Sequence, residues 1–134
     1  MGNASYASGA FGSRWQGHLG KMREKDLLSF RSQQVAEFNN TVLCVGKLLK
    51  VCPEEETTII PLLLNIDGHT FFHHGVPSPE CRNVAKGHIL ECFLEQFPGS
   101  AYREEMAAFA ECNLENDRKQ VCARARRLMK LRGF

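Results

Sequence analysis

The chain has 134 residues, 43% hydrophobic and 24% charged, with a formal net charge of +2. That length suits one ordinary domain, and the composition is that of a globular protein rather than a disordered chain. The longest run without a polar residue, Ile59-Ile60-Pro61-Leu62-Leu63-Leu64, is far below the roughly 20 residues that span a bilayer. So small a net charge, taken over the whole chain, does not point to nucleic acid.

Residues 1–25 read as an extended arm. The first twenty hold five glycines and three serines, and no acid appears before Glu24. Such a stretch cannot bury enough apolar surface to fold alone; Phe11 and Trp15 are its scattered anchors. Arg14, Lys21 and Arg23 give it a positive bias that is thin for a mitochondrial presequence. Gly2 lies near a myristoylation pattern, but Ser5 comes one place early and Tyr6 stands where Ser or Thr belongs.

Residues 26–52 predict an amphipathic helix. Leu27, Leu28, Val35, Phe38, Val42, Val45 and Leu49 recur at three- and four-residue steps, and Cys52-Pro53 ends the run. Residues 53–80 predict a short helix and an irregular loop. Pro53 followed by Glu54, Glu55 and Glu56 suits a helix start, since Pro fits the first turn and carboxylates fit the positive dipole end. Pro61 should interrupt this element and Asp67-Gly68 should stop it.

Residues 81–134 predict a helical hairpin. One helix runs from Arg82 to Phe97, with Val84, Ile89, Cys92 and Phe93 on one broad face. Phe97-Pro98-Gly99-Ser100 is a turn, with Ser100 placed to cap the next helix. A single long helix should then continue to about Leu131, turning Met106, Phe109, Ala110, Val121, Ala125, Leu128 and Met129 inward. The fold class is mainly α.

Among the six cysteines, ten residues separate Cys81 from Cys92 and nine separate Cys112 from Cys122. Either interval returns a side chain to nearly the same helix face, roughly 15–17 Å further on. Two antiparallel helices so spaced can be joined twice, as Cys81–Cys122 and Cys92–Cys112. Bonds within either pair are excluded, because a disulfide needs Cα atoms within about 7 Å. Cys92 stands six residues before Pro98 and Cys112 thirteen after Gly99, so a regular hairpin leaves the inner pair roughly 9 Å out of level. Either Ser100–Glu105 is partly unwound or the turn sits later. Cys44 and Cys52 are read as free thiols or as a pair across a helix break, with re-pairing to the hairpin as the alternative. Six cysteines allow fifteen connectivities, and spacing alone does not choose.

These spacings resemble the twin Cys-x9-Cys motifs of the CHCH (coiled-coil-helix–coiled-coil-helix) family over residues 81–122, with ten residues in the first motif here. The resemblance implies oxidation in the mitochondrial intermembrane space. It also implies a non-catalytic accessory subunit of a large inner-membrane assembly, a respiratory-chain complex or ATP synthase, peripheral to the membrane. Its partners would be the protein subunits of that complex. Copper delivery is not implied, since Cys-Cys and Cys-x-Cys are absent.

Other chemistry finds little support. His69, His73, His74 and Cys81 fall within thirteen residues, and His69-x3-His73 has a zinc-ligand spacing, but the Cys-x2-Cys that marks structural zinc is missing. No metal or other cofactor is expected. Nucleophile-elbow, dinucleotide and phosphate-loop motifs are missing. The acids of Glu54–Glu56 and Glu104-Glu105 fit helix starts, so no catalytic residue and no small-molecule substrate are assigned. Seven basic residues from Arg118 to Arg132 exceed what a helix dipole needs. Arg124, Arg126, Arg127 and Lys130 are therefore candidate partner contacts, together with Phe11, Trp15, Phe71 and Phe72. An acidic protein surface or anionic lipid headgroups would fit them. RNA fits less well, because the stretch has no interleaved aromatics for base stacking. A mitochondrial ribosomal protein is the alternative reading, followed by a soluble CHCH assembly factor or zinc-binding module.

Overall fold

A computed structural model describes residues 34–133. Within them lie five α-helices: α1 (Val35–Val51), α2 (Glu56–Leu64), α3 (Pro79–Gln96), α4 (Arg103–Cys112) and α5 (Lys119–Arg132). A two-stranded ribbon of β1 (Phe72–His73) and β2 (Val76–Pro77) precedes α3. The mainly helical expectation holds. Predicted helix residues 26–33 and the predicted arm lie outside the described residues.

The apolar rhythm read from the sequence is the one that is buried. Phe38, Val42, Val45 and Leu49 of α1, Ile89 and Phe93 of α3, and Met106, Phe109, Ala110, Val121, Ala125, Leu128 and Met129 of α4 and α5 form one core. α3 is its axis, flanked by α1 and α5.

All three long helices run the same way. At the start of α3 and α5, Asn116 Nδ2 donates to Asn83 Oδ1 at 3.2 Å and Arg118 pairs with Glu80 at 2.6 Å. Further along both, Gly87 abuts Val121 and Arg124, and Glu91 lies 3.8 Å from Arg124. On the other flank, Cys92 lies against Gly46, and Lys50 reaches Glu95 at 3.8 Å. Gln96 Nε2 donates to the Gly46 carbonyl at 3.2 Å, near the C-terminal ends of α1 and α3. The short helices α2 and α4 carry the chain back between these parallel members and touch each other. For α4 the direction is fixed by Arg132, at the end of α5, pairing with Glu104 at its start (2.6 Å).

The antiparallel hairpin of two cysteine-bearing helices is therefore corrected. The predicted long final helix breaks between Cys112 and Lys119, where Asn113, Asn116 and Asp117 compete with helical hydrogen bonding. Asn113 Nδ2 donates to the Phe109 carbonyl at 2.8 Å, and Asn116 Oδ1 accepts from the Arg118 amide at 2.8 Å. This second reversal returns α5 parallel to α3. The extra turn falls later than Gly99, but it does not level the inner pair, since it leaves the end of α4 beside the start of α3.

Two smaller expectations are also corrected. Pro61 lies inside α2 without ending it. A helix-interior proline costs about 3 kcal/mol, but Ile60 and Leu63 are fully buried and each contributes roughly 1.5–3 kcal/mol. Burial wins. The supposed irregular loop also holds the ribbon, in which Phe72 pairs with Pro77 and His73 with Val76. Its turn residues His74 and Gly75 have φ of 55° and 80°, as a type I′ hairpin requires.

At the opposite end of the bundle, Ser100 does not cap α4, whose N-cap is Tyr102 with no side-chain hydrogen bond, but it braces the approach to that helix. The serine Oγ accepts from the Tyr102 amide at 2.9 Å and donates to Glu56 Oε1 at 2.8 Å, while the Ala101 amide also donates to Glu56 Oε1 at 3.0 Å. One carboxylate at the start of α2 thus holds both reversals together.

Candidate interaction surfaces

The structure shows all six cysteines unbridged, so the predicted bridges Cys81–Cys122 and Cys92–Cys112 are not confirmed. Geometry accounts for the inner pair. The Asn83–Asn116 contact brings the C-terminal end of α4, and with it Cys112, to the start of α3. Cys92 lies nine residues beyond Asn83, about 14 Å along α3, and faces α1 instead. Cys112 is exposed. Cys81 and Cys122 are both half-buried; the Cys81 amide donates to the Ser78 cap at 3.3 Å, and the Cys122 thiol donates to the Asn116 carbonyl at 2.8 Å. Burial pushes the Cys92 thiol up to about 12, Glu95 adding to the effect and Lys50 opposing it. Such a thiol is packing material, not a nucleophile. Cys52 is buried and Cys44 half-buried on α1 and its end.

The histidines do not assemble a zinc site. His69 packs against Phe38 and Phe71, with ring centroids 5.9 and 4.5 Å away. His73 and His74 contact each other at the ribbon turn, 4.1 Å between centroids. Among the described residues no three His, Cys, Asp or Glu side chains converge as metal ligands. Spacing is a poor guide here because the aromatic residues that interrupt the run draw His69 inward.

Phe71 and Phe72 part company. Phe71 is a core residue, 1% exposed, and so is corrected from a contact anchor to a structural one; Phe72 is exposed at 36% and Val76 at 62%. The ribbon that presents them is tied down, for the Ser78 amide donates to the Phe71 carbonyl at 2.8 Å and Arg82 Nε to the His69 carbonyl at 3.0 Å. Its tip is thus a small apolar projection on a fixed base.

The basic residues of α5 also divide. Arg124 is half-buried against α3, beside Gly87 and Glu91. Arg126, Arg127 and Lys130 point outward together with Lys119, which falls in the same stripe although nothing in the sequence singles it out. None of these four forms a salt bridge among the described residues, whereas Arg118 and Arg132 are bound to Glu80 and Glu104. Phe11 and Trp15 lie outside the described residues.

His88 emerges only from the fold. It lines a cavity of about 60 Å³ between α1 and α3 with Val42, Leu43, Gly46, Glu91, Cys92 and Glu95. Its Nδ1 is buried without a hydrogen-bond partner. Desolvation lowers its pKa below the ordinary value, Arg124 and Arg118 act the same way, and Glu91 opposes them. No sequence signal separates it from a surface histidine, because the groove exists only once α1 lies beside α3.

No helix among the described residues is long and apolar enough to cross a membrane. Comparison with protein-family models, with curated proteins and with solved structures finds no match for the chain.

Proposed function

We propose that the chain is a non-catalytic accessory subunit of a large protein assembly, docked through the ribbon that precedes α3. The observation that carries this reading is the ribbon tip, where Phe72 and Val76 stay exposed on an anchored hairpin. Apolar side chains held rigidly outside a core lose little entropy when a partner covers them. Covering what remains exposed of both would contribute at most roughly 3–5 kcal/mol, which association costs largely offset, so further contacts must supply the rest of the affinity.

The host we propose is an inner-membrane complex of mitochondria, a respiratory-chain complex or ATP synthase, contacted from the intermembrane space. That part rests on the cysteine spacing at 81–92 and 112–122 alone. The cations of α5 that make no salt bridge favour a second reading, a mitochondrial ribosomal protein, since clustered lysines and arginines neutralise phosphates.

Affinity purification of the tagged full chain under mild detergent tests both. Membrane-complex subunits should co-purify, and Phe72→Ser with Val76→Asp should reduce their yield at least tenfold while the circular dichroism stays that of the wild type. Undiminished recovery with that variant would remove the ribbon from the interface. Recovery of ribosomal proteins, lost steeply with added salt, would select the second reading.

A further inference from the structure

The outward side of α5 carries charge of one sign. No acid occurs between Lys119 and Arg132. Successive residues of a helix turn by about 100°, so Lys119, Ala123, Arg126, Arg127 and Lys130 share one sector roughly 100° wide. All five are exposed, whereas Val121, Ala125, Leu128 and Met129, on the other side of the helix, are buried. None of the four cations forms a salt bridge among the described residues. Leu131 stands about 40° beyond Arg127 around the helix, at the edge of the row, and is 51% exposed.

The neighbouring carboxylates lie elsewhere. Arg132 meets Glu104 of α4 at 2.6 Å and points about 200° away from Lys130, so α4 and its acids are behind α5. Glu91 of α3 is turned to Arg124, outside the sector. Glu115 and Asp117 are exposed just before α5 and weaken the field around Lys119. The strongest part of the row is therefore its C-terminal half, where Arg126, Arg127, Lys130 and Leu131 gather.

We propose that this side of α5 rests on an anionic lipid bilayer, with the helix axis in the plane of the surface. A straight row of cations reaches the lipid phosphates, and apolar Leu131 at its edge enters between the headgroups. Each Lys or Arg held near an anionic surface contributes about fivefold to binding, so three or four give a reversible attachment. RNA suits the row less well, because there is no aromatic for base stacking and nothing for Leu131 to enter. An acidic protein would bring an apolar centre to its interface, and the row offers it only Ala123. The inference rests on α5 alone and needs neither the ribbon nor the accessory-subunit reading. A chain that binds lipid yet recovers no partner subunits would uphold it while removing that reading.

Co-sedimentation of the full chain, under reductant, with phosphatidylcholine vesicles lacking or containing about 30% phosphatidylglycerol tests it. Binding is expected to the anionic vesicles alone at about 100 mM salt and should be lost at about 500 mM, where screening is severe. Arg126→Glu with Arg127→Glu should weaken it by about thirtyfold or more. Leu131→Ser should weaken it by about threefold. Arg103→Glu, a charge reversal on α4 behind the row, should change it by about twofold at most, since screening separates it from the lipid. All the substituted side chains are exposed, and circular dichroism would establish that the variants are folded. A wild-type chain that leaves anionic vesicles bare would overturn the proposal. So would a double variant that binds like the wild type, or an equal loss from Arg103→Glu, which would reduce the effect to net charge. Tighter binding to an RNA duplex than to the vesicles at the same salt would reassign the row to nucleic acid.

Discussion

Cys92 and Cys112 show how differently one residue type behaves at two places in this molecule. Cys92 is buried where α1 meets α3, and desolvation first, then Glu95, disfavours its thiolate. Cys112 is exposed at the end of α4. Brief iodoacetamide treatment of the native protein at pH 8, followed by peptide mapping, should alkylate Cys112 and spare Cys92 until denaturant is added. The raised value also fixes a sign. An unfolded Cys92 ionises near 9, whereas the folded one resists ionisation until about 12. Between those values the unfolded state has lost the proton and the folded state has kept it, so stability falls as pH rises. The melting temperature should decline over pH 9–11, and Cys92→Ala should flatten that decline. Equal labelling of both thiols in native protein would contradict the packing assigned to Cys92.

At the scale of elements, what is legible in the sequence is periodicity, and what is lost is connection. The inward positions of α1, α4 and α5 follow from three- and four-residue spacing because helix faces are a local property. The break at 113–118 is less visible. Its Asn and Asp residues stand within a run that keeps helical rhythm on both sides, although Asn113 does bond locally to the Phe109 carbonyl. The His74-Gly75 turn is similarly muted, since histidine is a rarer occupant of a left-handed position than Asn or Asp. The pairing of α3 with α5 is a matter of close approach, and Gly87 marks it. A Cβ there would meet Arg124 Nη1 at 3.1 Å and Val121 Cγ2 at 3.6 Å. The closer atom ends a flexible side chain whose link to Glu91 is long, 3.8 Å, and such a pair contributes well under 1 kcal/mol. Replacing glycine inside a helix by alanine gains about 1 kcal/mol. Gly87→Ala should therefore stabilise the protein by roughly 0.5 kcal/mol net, read as a small rise in the urea midpoint. A loss of about 1 kcal/mol or more would mean that Arg124 cannot move and that α3 and α5 are locked more tightly there.

For the whole molecule the decisive matter is what holds it together. Candidate disulfides are legible in the cysteine spacing, but spacing along a chain does not say whether two helices run parallel or antiparallel. Here α1, α3 and α5 run parallel around a continuous apolar core, with Phe93, Ile89, Leu90, Met106 and Leu128 fully buried. Burying those five side chains contributes on the order of 10 kcal/mol, one share of the burial that must offset chain entropy. A stapled protein would behave differently, because each disulfide typically adds about 2–4 kcal/mol. Two bridges would raise the melting temperature by roughly 10–20 °C for a domain of this size. Thermal unfolding of protein purified without reductant, measured with and without a few millimolar dithiothreitol, separates these cases. With six free thiols the two curves should coincide within a degree or two. A fall of about 10 °C on reduction would show that the native protein is bridged. Because Cys92 and Cys112 lie about 14 Å apart along α3, that outcome would require another pairing or a rearranged α4.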